Sequence, residues 1–140
     1  MNVIYRGGQV GRSVFLLGNG TLSKKPNKEA KVFALEAAEV AAGRRCSDIV
    51  VLDLRGKSPA TDYFVIATGT SDRQMRTVAD EICEAAKEQG LQRFGRAGYE
   101  QARWILLDFI DVVIHIFDSE YRDYYDLELL WGDAERLTID

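Results

Sequence analysis

WILLDFIDVVIHIFDSEYRDYYDLELLW, residues Trp104 to Trp131, decides the fold because its hydrophobic period changes partway through. Trp104–Asp108 and Val112–Phe117 are short apolar runs, the second β-branched and carrying one polar residue, His115. They read as two strands folded back on each other. The intervening Phe109-Ile110 lacks the glycine or asparagine that tight hairpins prefer, so a turn longer than two residues is expected. After Asp118-Ser119 the apolar positions become 121, 124, 125, 127, 130 and 131, a helical spacing. Tyr121, Tyr124, Tyr125 and Trp131 give this helix more aromatic surface than packing on a sheet requires, leaving some for a partner.

Upstream, the period alternates between strand and helix. Asn27 can cap an alanine-rich helix from Lys28 to about Ala42, with Gly43 as its stop. Ile49–Leu54 and Tyr63–Thr68 are nearly continuous apolar runs, as expected of strands buried on both faces. Between Ser71 and Gly90 the apolar residues Met75, Val78, Ala79, Ile82 and Ala86 form one helical stripe. Ser71 and Gln74 have the spacing of a capping box at its start. A phosphate cradle at Gly69–Gln74 is the competing reading, but no second glycine and no lysine stand in P-loop spacing. A short strand is possible at Leu91–Phe94, and the polar tail from Gly132 to Asp140 is expected to fray.

Composition narrows the function classes. A chain of 140 residues, 46% hydrophobic and 29% charged, fits one globular domain with a real core. No apolar run approaches the roughly 20 residues of a membrane span. Cys46 and Cys83 are isolated and there is one histidine, which argues against a disulfide framework and a zinc site. Residues 1–27 hold five of the twelve glycines and no acid, and are expected to be a flexible extension; a hairpin from Val3–Tyr5 and Val14–Leu17, or a transit peptide, are the alternatives. The remaining chain carries 14 of the 18 basic residues and all 22 acidic ones, a net of −8. Such a domain suits a basic partner better than nucleic-acid phosphates.

DIVVLDLRG (Asp48–Gly56), TDYFVIATGTSDRQ (Thr61–Gln74), GYEQARWILLDF (Gly98–Phe109), VVIHIF (Val112–Phe117) and YRDYYDLELLWGDA (Tyr121–Ala134) follow in that order. Together they resemble the ribosomal silencing factor, or Iojap-like, family over residues 28–135, leaving 136–140 as a tail. The resemblance implies one α/β domain with a mixed β-sheet of about four or five strands flanked by helices, nucleotidyltransferase-like without the catalytic residues. It implies a cytoplasmic translational repressor, not an enzyme, with no cofactor. Such a protein binds the large ribosomal subunit through its L-fourteen protein and blocks small-subunit joining; it is a homodimer when free and takes neither DNA nor membrane as partner. A large-subunit assembly factor, an organellar relative or a nucleotidyl-transferring enzyme are the alternatives. Ala97, Ile110-Asp111 and Asp118 depart from the family pattern at turns and near the contact region.

Trp104, Leu106 and Asp108 share a strand face and are candidates for partner binding, as an aromatic anchor, an aliphatic neighbour and a carboxylate for a basic side chain. The alternative is that Trp104 packs in the core and Asp108 caps a turn. On the helix, Arg122 and Tyr125 are the candidates to reach a partner, while Leu127, Leu130 and Trp131 are expected to pack down. His115 lacks a nucleophile to activate and reads as a hydrogen-bonded structural residue. Asp53, Asp62, Asp108 and Asp111 suggest metal-dependent nucleotidyl transfer, but no aspartate–x–aspartate pair follows the Gly69-Thr70-Ser71 turn, where the nucleotidyltransferase pattern has one.

Overall fold

The computed structural model describes residues 28–91 and 95–139. The extension, 1–27, lies outside the described residues, as do residues 92–94 of the expected strand at Leu91–Phe94. Helix α1 spans Lys28–Gly43. Its buried face is Ala30, Ala34, Ala37, Ala38 and Ala41, small side chains that let the helix axis lie close over β1 (Ser47–Asp53) and β2 (Tyr63–Thr68), together with Phe33, which packs edge-on against Phe109. Helix α2, Asp72–Glu88, buries the stripe of Met75, Val78, Ala79, Ile82 and Ala86. Its N-cap is Ser71, whose hydroxyl accepts the Gln74 N–H at 3.1 Å. The Gln74 side chain reaches one residue further back than the usual capping box and accepts from the Thr70 N–H.

Strands β3 (Gly95–Ala97), β4 (Trp104–Asp108), β5 (Val112–Phe117) and β6 (Glu135–Leu137) complete one sheet in the order β3-β4-β5-β2-β1-β6. The β2–β5 pair is parallel and every other pair antiparallel, so the sheet is mixed and open. The expected α/β architecture is therefore found, with six strands. The tail does not simply fray: β6 pairs with β1, Leu137 opposite Val51. Its polar side chains hid it, because an edge strand needs only backbone groups to pair and can leave its side chains in water.

The pleat sorts the strand residues onto two faces. Val51, Val65, Ala67, Ile105, Leu107, Ile114 and Ile116 face α1 and α2. Leu52, Phe64, Ile66, Trp104, Leu106, Val113 and Phe117 make a second core on the opposite face. The cover on that second face is slight: α3 (Ser119–Tyr125), α4 (Leu127–Leu130) and the residues that follow. The expected single helix is thus two. Asp126 adopts the left-handed conformation, φ +39, and breaks the hydrogen-bond ladder between them.

The β4–β5 turn is longer than two residues, as expected. Phe109 N–H donates to the Val112 carbonyl, and Asp111 N–H to that of Phe109. Ile110 sits at φ +75, a conformation unfavourable for a β-branched residue. Asp108 supports it by accepting the Ile110 N–H at 2.8 Å.

Candidate docking surface

The second sheet face and its thin helical cover bring the sequence-predicted site residues together, but not all at the surface. Trp104 is 4% exposed and Leu106 fully buried. Trp104 stacks on Phe117 with ring centroids 4.8 Å apart, and its indole N–H donates to Nδ1 of His115 at 3.2 Å. His115 packs edge-on against Phe64 at 4.5 Å. For Trp104 the packing alternative thus accounts for its position, and Leu106 serves as floor beneath it. Asp108, also buried, caps the Ile110 turn as described.

Arg122 is likewise buried. Its Nε and one Nη donate to both oxygens of Glu128 at 3.0 and 3.2 Å, and the other Nη donates to Thr68 Oγ1 at 2.9 Å. One side chain therefore ties α3 to α4 across the Asp126 break and to the end of β2. A planar fork matches a carboxylate in this way, where lysine could not. Arg122 orients the cover and leaves little of itself for a partner.

Tyr125 is the candidate that reaches solvent. Its half-buried ring rests on Trp104 at 4.7 Å, beside Tyr121 at 5.5 Å and Tyr124 at 5.0 Å. Tyr121 is covered in turn by the Arg103 guanidinium, 4.4 Å from its ring centroid. Arg103 is held by Asp118 and by Glu120, and its hydrogen bond to Asp118 pushes its pKa above the ordinary arginine value. Asp118 also accepts the Tyr121 N–H at 2.7 Å and so caps α3. The result is an aromatic shelf with a rigid, hydrogen-bonded base. It can bury a partner's apolar side chain with little loss of its own freedom.

The expected packing of the C-terminal leucines needs correction. Leu127 is buried and Trp131 partly so, lying 6.2 Å from Phe64, but Leu130 is 53% exposed. All three follow the break at Asp126, where a helix of four residues ends at Leu130, and one turn is too short for i, i+3 spacing to hold every apolar side chain against the sheet. Leu129, which the helical spacing leaves off the apolar face, is 77% exposed, and Tyr124, which that spacing includes, is 81% exposed.

The competing phosphate cradle finds a packing explanation. A Cβ on Gly69 would lie 2.2 Å from Met75 Cγ, so the glycine makes room for a core side chain. Two of the four aspartates weighed for metal chemistry are engaged separately: Asp53 by the Arg55 guanidinium at 2.7 and 2.9 Å, and Asp108 in its turn. Among the described residues, no three His, Cys, Asp or Glu side chains gather in a group able to hold a metal ion. No helix among them is long and apolar enough to cross a membrane.

Comparison with known proteins adds ancestry to this geometry. The family profile described as ribosomal silencing factor during starvation matches residues 27–140. The ribosomal silencing factor of Bacillus subtilis is 44% identical over 104 residues, covering 74% of this chain and 88% of that protein. A crystal structure from Bacillus halodurans superposes with a TM-score of 0.67 at 36% identity, covering 81% of this chain and 100% of the other. A second, from Chromobacterium violaceum, gives 0.69 at 33% identity, with coverages of 82% and 92%.

Proposed function

The chain belongs to the ribosomal silencing factor family, and on that premise we propose that it represses translation by binding the large ribosomal subunit. In this reading it docks on the L-fourteen protein of the intersubunit face and occupies space the small subunit needs. The observation that carries the proposal is the shelf of Tyr125 on Trp104, an aromatic anchor on a domain of net charge −8. Of the five candidate residues, Tyr125 makes the contact, while Trp104 and Leu106 support it from below. Arg122 and Asp108 hold the neighbouring helix and turn in place. The mechanism is steric: no bond is made or broken, and the fraction of subunits occupied sets the effect. The free protein is taken to be a cytoplasmic homodimer with no DNA, membrane or cofactor requirement.

Sedimentation of purified ribosomal subunits tests the proposal. The protein should co-sediment with large subunits and reduce their joining to small subunits. Tyr125→Ala should weaken that binding roughly 10- to 100-fold, the loss usual for a truncated aromatic anchor. Binding without any effect on joining would instead favour a role in large-subunit assembly, and absence of binding would remove the proposal.

A further inference from the structure

Four large hydrophobic side chains are exposed among the described residues, and three of them, Tyr124, Leu129 and Leu130, belong to α3 and α4. Clustering of this kind is unusual on a surface that only has to face water. Tyr124 stands edge-on against Tyr125, and Leu129 and Leu130 follow the buried Leu127 on a four-residue helix oriented by the Arg122–Glu128 pair.

The charges beside this ridge tell its occupant apart. Segment 118–133 holds six carboxylates and one cation, Arg122, which Glu128 already engages. Asp118 and Glu120 share Arg103, and Asp133 meets Lys57. Asp123 and Asp126 are exposed and, among the described residues, have no cationic partner. A second copy of this chain seated ridge to ridge would bring the same carboxylates face to face, a repulsive arrangement. A basic polypeptide would neutralise them while its apolar side chains covered the leucines.

We propose that Tyr124, Leu129 and Leu130, flanked by Asp123 and Asp126, form a second docking surface for a lysine- or arginine-rich segment of a large-subunit protein that carries an apolar residue between its charges. The inference rests on the ribosomal reading above and adds the two leucines of α4 to it, beyond Tyr124 at the edge of the aromatic shelf. Because neither leucine supports the core, this surface can be altered without disturbing the shelf.

The test uses the full chain with purified large ribosomal subunits. Leu129→Ser with Leu130→Ser should keep the wild-type melting temperature and weaken binding at least tenfold. Asp123→Asn with Asp126→Asn should weaken binding at low salt and flatten its salt dependence, since attraction between exposed charges is screened. A photo-crosslinking residue in place of Leu129 should join a basic ribosomal protein. Wild-type affinity in the double-serine variant would overturn the second surface while leaving the shelf standing. So would a crosslink to a second copy or to residues 1–27 of the same chain. If the wild-type protein itself fails to bind, the ribosomal reading falls first and this inference with it.

Discussion

The indole nitrogen of Trp104 donates its hydrogen bond to Nδ1 of His115 across 3.2 Å, joining β4 to β5 inside the second core. Nδ1 must be unprotonated to accept, so this bond selects the neutral tautomer with its proton on Nε2. His115→Leu would leave a buried indole N–H without its acceptor. A cost of about 1–3 kcal/mol is expected, read by urea denaturation. Gln in place of His115, which keeps an acceptor, should lose less; equal losses would show that the hydrogen bond is not what His115 supplies.

Ile110 offers the opposite sign. A β-branched residue at φ +75 carries strain that glycine would not, worth about 1–2 kcal/mol. Ile110→Gly should therefore raise stability by something under that figure, because glycine also loosens the unfolded chain. A lower melting temperature would mean that the contacts of the Ile110 side chain outweigh the strain.

Asp53 links stability to pH. The hydrogen bond from Arg55 holds the Asp53 carboxyl below its ordinary pKa. The folded state thus binds the proton less tightly than the unfolded chain does. The resulting stabilisation is complete above the unfolded value of about 3.9 and is lost as pH falls through the lower folded value. Asp53→Asn should cost about 1 kcal/mol at neutral pH, in keeping with a partly exposed pair, and the difference from wild type should shrink in acid. A difference that stays constant between neutral pH and pH 2 would remove the ion pair as its cause.

Burial pushes the Cys46 thiol up from 9.0 to about 11. Two pH units correspond to about a 100-fold smaller thiolate fraction near neutrality, and the thiolate is the reactive form. Alkylation of Cys46 by iodoacetamide at pH 7.5 should accordingly run well over tenfold slower than that of a free small thiol, followed by mass spectrometry of the Cys46 peptide. Labelling at the free-thiol rate would show that the environment of Cys46 opens readily.

Much of this structure is legible in local sequence. The shift of hydrophobic period places β4, β5 and the following helical segment, and the Ser71–Gln74 pair marks the start of α2, because strand alternation and helix capping depend on residues a few positions apart. The ordered motifs from Asp48 to Ala134 likewise identify the family from sequence alone. What local sequence does not encode is which distant group a residue meets. Arg122 reads as a surface cation until Thr68 and Glu128 are seen to surround it. Trp104 reads equally as anchor or core until Phe117, His115 and Tyr125 enclose it. The strand at Glu135–Leu137 exists only because β1 offers an edge to pair with. Hydrophobic pattern reports how a segment folds on itself, whereas burial of a charge and pairing of an edge are set by partners far along the chain. Tertiary structure alone therefore decided which aromatic and leucine side chains of this segment were left in water.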